Sequence, residues 1–121
     1  MKIPGNKKIF LKLPRFEVDG EIVKQDDRYV VQDNTTLKNL ILSSTNLNPG
    51  HSTSGHKHSG QEEIYIFIRG SGDMTLIYPD DTEKNFSVNQ GDIVLIEDDV
   101  HHRVFNNGNE ELYFVCVFGG K

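Results

Sequence analysis

The sequence predicts an all-β domain, a sandwich or barrel of short strands. Three observations point there. Apolar residues alternate in short runs, turn residues recur about every 8–12 positions, and no stretch makes a convincing helix. The chain has 121 residues, enough for one core and too few for two, so a single domain is expected. Hydrophobic residues make up 36% and charged residues 26%, a balance that suits a folded globule and not a disordered chain.

Each element follows from local chemistry. Residues 1–16 are basic and partly apolar, and Ile9, Leu11 and Leu13 alternate up to Pro14, which reads as a short strand. Residues 17–36 carry Asp19, Glu21, Asp26 and Asp27 around two β-like pieces, 22–23 and 29–31. Residues 1–36 are therefore expected to form an N-terminal arm with short strands, packed on the main barrel or on a second subunit, and residues 37–121 the barrel. Within 37–47 the spacing of Leu37, Leu40, Ile41, Leu42 and Leu47 would suit a helix, but Ser43, Ser44 and Thr45 are poor helix formers and favour a strand. Pro49-Gly50 turns the chain, and Gly70-Ser71-Gly72 does so again. Strands are expected at 74–78, around Phe86 and Val88, and at 93–96, 101–105 and 112–118. The turns between them are Pro79 to Thr82, Asn89-Gln90-Gly91, Asp98-Asp99 and the Asn-Gly loop at 106–109.

Composition excludes several roles. The formal net charge is −5 and no basic stripe is present, so nucleic acid is not an expected partner. No apolar run approaches the ~18 residues that span a membrane, and the N-terminus lacks the apolar core of a secretory signal. Cys116 is the single cysteine, so no internal disulfide forms and a reducing, cytoplasmic setting is expected.

The chemistry concentrates in residues 50–70, GHSTSGHKHSGQEEIYIFIRG. His56 and His58 are one residue apart, which on a strand places both imidazoles on one face. Glu63 opens the next run and shares a face with Tyr65 and Phe67, while Ile64, Ile66 and Ile68 take the other. Two imidazoles and a carboxylate from adjacent strands suit Fe, Mn, Ni or Zn, and His102 is a fourth candidate ligand. Tyr65, nearest the ligand, is a candidate general acid, and Phe67 is core. By alternation His101 points away from His102 and is expected to be exposed, His51 is expected in a loop, and Arg69 is expected to be solvated at the strand end. Cys116, inside FVCVF, is expected to be a buried structural thiol. The acidic residues of PDDTE and NGNEE read as solvated turn charges. Nothing resembles a hydrolase triad or a phosphate-cradling glycine loop.

These residues resemble the cupins. The first cupin motif, G-x5-H-x-H-x(3,4)-E-x6-G, is matched by Gly50, His56, His58, Glu63 and Gly70. Glu62 also fits the shorter spacing, but its distance to Gly70 is one too long, and only one of the two glutamates can face inward. The second motif, G-x5-P-x-G-x2-H-x3-N, is matched by Gly91, His102 and Asn106, with Glu97 where the proline would stand and Asp99 where the second glycine would stand. Asp tolerates the left-handed conformation better than most residues, so Asp99 can replace that glycine, whereas Glu97 costs some turn rigidity. The resemblance implies a double-stranded β-helix, or jelly-roll, barrel of the RmlC-like type. It also implies one divalent transition metal (Fe, Mn, Ni, Co or Zn) held by His56, His58, Glu63 and His102, a small-molecule ligand in the barrel mouth, and a homodimer. Such a site leaves two cis positions open on an octahedral ion, enough for one bidentate substrate, or for one substrate atom with O2 or water. It does not select a reaction. A metal-dependent isomerase or lyase acting on a small polar metabolite such as a sugar derivative is the first expectation; a non-haem iron dioxygenase and a non-catalytic ligand-binding or sensor protein are the alternatives. Lys and Arg are scattered, so the sequence offers no support for a phosphate pocket.

Overall fold

The structure is a computed structural model that describes residues 17–57 and 59–119. Among them the regular structure is entirely β: β1 Glu21–Gln25, β2 Tyr29–Asn34, β3 Ile41–Leu47, β4 Glu63–Arg69, β5 Ser71–Ile77, β6 Glu83–Asn89, β7 Ile93–Ile96, β8 His101–Phe105 and β9 Leu112–Phe118. The strands form two antiparallel sheets, one of six strands in the order β1-β2-β3-β9-β4-β7 and one of three in the order β6-β5-β8. The expected all-β class is observed. The expected strand at residues 9–13 lies outside the described residues.

Alternation builds the core. Tyr29, Leu47, Tyr65, Phe67, Leu112 and Phe114 point from the larger sheet toward Met74, Leu76, Val88 and Val104 of the smaller one, all of them buried. In β4 the buried positions are Glu63, Tyr65 and Phe67, as period-two patterning requires. β1 and β2 join the larger sheet through an unbroken β2–β3 ladder from Tyr29↔Leu47 to Asn34↔Leu42. On the sheet's outer face a second apolar cluster gathers Val18, Tyr113 and Val115, with Leu42, Ile66 and Ile68 against them. The Val18 N–H donates to Tyr113 Oη at 2.7 Å and ties the entering chain to that face.

The turns explain the strand lengths. Gly70 (φ 84°) alone reverses the chain between β4 and β5, so Ser71 and Gly72 are strand and not turn. A side chain at Gly70 would meet the Glu111 carbonyl at 2.7 Å, which requires glycine on two counts. Asp81 (φ 68°) and Asp99 (φ 61°) occupy the left-handed region, so Asp99 does take the conformation anticipated for it.

Four further expectations need correction. The strand expected over 37–47 begins only at Ile41; Leu37 and Leu40 precede it and are exposed. The described residues of the run 51–62 lie outside the named strands, and their β-bridges to β8 are two isolated ones, Ser52↔Phe105 and His56↔His102. The run is rich in Gly, Ser and Thr, and Gly55 and Gly60 have positive φ, so it cannot hold a continuous pleat. Arg69 is only partly solvated. A register shift between Phe67 and Arg69 sets Arg69 opposite Tyr113, where its guanidinium stacks 4.3 Å from the ring and lies 3.8 Å from Glu111. His101 is half-buried, because the segment at Gly55 folds back over it.

Candidate metal centre

Three side chains converge at the open end of the space between the sheets. Glu63 starts β4 on the larger sheet, with its side chain 4% exposed. His102 lies on β8 of the smaller sheet, 2% exposed, and His56 is brought beside it by the isolated bridge, leaving its imidazole 47% exposed toward the mouth. The His102 and His56 Nε2 atoms are 3.1 Å apart, and Glu63 Oε1 lies 3.5 Å from the first and 3.9 Å from the second. Donors about 2.1 Å from a common ion sit about 3.0 Å apart at right angles and about 3.4 Å apart at the tetrahedral angle. The 3.1 and 3.5 Å separations match these values, and the 3.9 Å one exceeds the tetrahedral value by about 0.5 Å. The donor set therefore fits a divalent transition metal.

The backbone prepares His102 for this. Its Nδ1 lies 3.1 Å from the Val100 carbonyl, so Nδ1 carries the proton and donates, and Nε2 presents its lone pair to the cluster. The turn at Asp99 places Val100 there. Glu62, the rejected glutamate, is exposed, whereas Glu63 is buried, in keeping with strand parity. His58 lies outside the described residues. His51 is a loop residue whose backbone carbonyl accepts from the Asn106 N–H.

Tyr65 stands one step deeper on the same face of β4. Its ring meets His102 edge-on at 5.5 Å and stacks on Phe114 at 5.2 Å. Burial pushes its phenol well above the usual range, and neighbouring Cys116 and Glu63 push the same way. The Cys116 thiol, its cross-strand partner, is also raised, first by burial and then by Glu63, against a lowering hydrogen bond from Tyr65. Both groups therefore stay protonated at neutral pH, and Cys116 is a structural thiol with no nucleophilic character.

The space above these residues is a cavity of about 420 Å3, bounded by Tyr29, Thr45, His56, Glu63, Tyr65 and Phe114 among others. Its β2–β3 wall is apolar at Val31 and polar beyond it: Asp33 and Ser43 line it, joined by a 2.5 Å hydrogen bond from the Ser43 hydroxyl. Sequence reasoning missed this wall. The signal was present in the alternation of residues 42–47, which sends Ser43, Thr45 and Leu47 to one face. Among the described lining residues the lone lysine or arginine is Lys24.

A family model described as the Cupin domain matches residues 43–118. A glucose-6-phosphate isomerase from Pyrococcus abyssi is 28% identical over 136 residues, covering 96% of this chain and 72% of its own length. An oxalate-binding protein from Thermotoga maritima is 31% identical over 80 residues, covering 66% of this chain and 62% of its own length. The structure of Lactobacillus farciminis oxalate decarboxylase, a formate complex, superposes with a TM-score of 0.74 at 20% identity over 80% of this chain. This chain spans 30% of that protein's length, and at such identity the likeness is one of fold. No helix among the described residues is long and apolar enough to cross a membrane.

Proposed function

The chain belongs to the cupin domain family, and from that premise we propose that it is a divalent-metal-dependent enzyme of isomerase or lyase type. Its substrate is a small polar metabolite, such as a sugar derivative, bound in the mouth between the sheets. The observation that carries this reading is the convergence of one carboxylate and two imidazoles, all within 4.8 Å of one another, at the floor of a cavity with a polar wall. His56, Glu63 and His102 hold the ion, with His58 proposed as the fourth donor. A bound divalent ion supplies Lewis-acid polarisation of a substrate carbonyl or hydroxyl. The protein supplies the rest. Val100 holds the His102 tautomer, Tyr65 keeps a proton on its phenol beside the cluster as the proposed general acid, and Asp33, Ser43 and Thr45 offer hydrogen bonds to a hydroxylated ligand. The resemblance to a protein named glucose-6-phosphate isomerase supports the isomerase version. A phosphate would find Lys24 as its one lysine or arginine among the described lining residues, which favours an unphosphorylated substrate.

A second reading, a binding protein without turnover, draws on the resemblance to a protein named for binding oxalate. The deciding experiment has two stages. Metal content is measured on protein purified without chelator or histidine tag, beside the His56→Ala/His102→Ala variant. The loaded protein is then incubated anaerobically with aldoses, ketoses and sugar acids in D2O, and deuterium incorporation is followed by NMR. Metal-dependent incorporation supports the enzyme. In a parallel aerobic incubation, oxygen consumption with iron would favour a dioxygenase; in the anaerobic one, saturable binding without exchange favours the binding protein, and a folded protein that takes up no metal removes the proposal.

A further inference from the structure

Among the described residues, the larger sheet leaves part of its outer face uncovered. Ile64 pairs with Leu95 and Ile66 with Ile93 across β4 and β7, so these side chains form one contiguous apolar surface. Ile93 is 62% and Leu95 70% exposed, although β7 is the most apolar strand by sequence. A groove of about 560 Å3 runs beside them, with Leu40, Ile64, Leu95 and Val117 along it. Exposed acidic groups stand at both ends of the patch: Glu62 and Glu97 at one, Asp92 at the other. β7 is also the edge of its sheet, a position that proteins ordinarily blunt with charge or cover.

The chain holds a segment of matching chemistry. Residues 1–16 carry five basic residues and no acidic one, while the remainder carries eight basic against eighteen acidic, a formal −10. In extended form Ile9, Leu11 and Leu13 share one side, with Lys7 and Arg15 beyond them on that same side. The segment joins the described chain at Glu17, and Val18 already packs on Tyr113 and Val115 of this outer face. From Val115 the surface runs across Ile66 to Ile93, two strand spacings or about 10 Å. Leu13 precedes Val18 by five residues, which span roughly 16 Å when extended.

We propose that residues 7–15 dock across this outer face of their own chain, with Ile9, Leu11 and Leu13 on Ile64, Ile93 and Leu95 and the basic residues toward the flanking carboxylates. The face is thereby continued from the Val18 cluster to the sheet edge. Charge complementarity and reach select this occupant over an external partner.

The test uses the full chain. A Leu11→Cys/Leu95→Cys variant is oxidised mildly beside a Leu11→Cys/Ser87→Cys control, in which the second thiol lies on β6 of the other sheet; buried Cys116 is common to both. Docking raises the local concentration of the paired thiols, so the first variant should form an intrachain disulfide at least about tenfold faster, at a rate independent of protein concentration. Separately, Leu95→Lys should raise hydrogen exchange across residues 8–13 by roughly tenfold, since the segment loses its seat. Equal rates in the two cysteine variants overturn the proposal. So does a covalent dimer as the main product, which would assign the face to a second copy, and so does exchange that Leu95→Lys leaves unchanged.

Discussion

Replacing Asn106 by Ala should cost the fold about 3 kcal/mol. Asn106 is fully buried after β8, the strand that carries His102. Its Nδ2 donates to the Leu47 carbonyl at 2.9 Å and to the Glu110 carbonyl at 2.8 Å, and its Oδ1 accepts from the Gly108 N–H at 3.0 Å. One side chain thus closes the β8–β9 loop and ties it to the end of β3. Each such bond contributes about 1 kcal/mol net, and a buried carbonyl left without a donor costs roughly 1–3 kcal/mol. The Glu110 carbonyl can recover water at the exposed loop, while the Leu47 carbonyl, at a residue with no exposed surface, cannot. For a domain of this size a loss of about 3 kcal/mol lowers Tm by roughly 12 °C. Asn106→Asp makes the sharper test. It keeps the acceptor for Gly108 but sets a buried carboxylate against two carbonyl oxygens, so at pH 7 it should be worse than Ala although it is closer in shape. Urea denaturation of the three proteins measures both effects. A cost below about 1 kcal/mol for Ala, or an Asp variant more stable than Ala, would refute the claim that these three bonds anchor the loop.

Other expectations follow from single positions. Glu63→Gln keeps the volume and removes the charge, and should weaken Mn2+ or Zn2+ binding by calorimetry at least about 100-fold, beyond the roughly 10–100-fold effect of outer partners; a smaller loss would remove Glu63 from the ligand set. Saturating wild-type protein at about 100 times Kd should add about 2.7 kcal/mol of stability, read as a Tm increase that the variant lacks. Gly55→Ala meets His101 Nε2 at 2.7 Å with φ at +77°, whereas Gly91→Ala has a similar φ of +91° and open space. The second should lose about 1 kcal/mol by chemical denaturation and the first distinctly more; equal losses would show that His101 simply moves. The Arg28 guanidinium, through a side-chain hydrogen bond, holds the Asp26 carboxyl at about 2 instead of 3.8. Because the folded value lies below the unfolded one, the contribution is complete above the unfolded value and fades as pH falls through about 2. NMR titration of Arg28→Met should find the carboxyl returned toward 3.8.

Much of this could be read before any coordinates. The strands at 93–96 and 112–118 appear at those residues because each is an apolar run rich in β-branched or aromatic residues, and the strand at 101–105 appears because it is bounded by the Asp98-Asp99 turn and the Asn-Gly loop. Parity separated Glu63 from Glu62 because β4 is a regular pleat through Phe67; for Arg69 the strand-end position suggested solvation, and the bulge that sets it opposite Tyr113 carries no mark in composition. It failed also for residues 51–62, where His56 reaches its neighbours through loop geometry and one bridge, which no period describes. The exposure of Ile93 and Leu95 was hidden for another reason. An apolar strand predicts burial, but which faces find cover depends on sheet order, and β7 lies at an edge. The Asp33–Ser43 wall needed the β2–β3 register, a pairing between segments ten residues apart.

The three converging side chains do not come from one sheet. Both imidazoles travel with the three-stranded sheet, and the carboxylate travels with the six-stranded one. An ion shared among them would act as a clasp on a book, adding a directional link at the mouth to the apolar packing between the covers and to the Asn106 hydrogen bond at the end of β3. Any tilt that parts the covers at the mouth lengthens the imidazole-to-carboxylate separations first, while the His56–His102 spacing, internal to one cover, is unchanged. Affinity at this point then reports the opening of the whole sandwich, and amides far down β5 and β9 should feel the ion as a slowing of their rarest, largest openings.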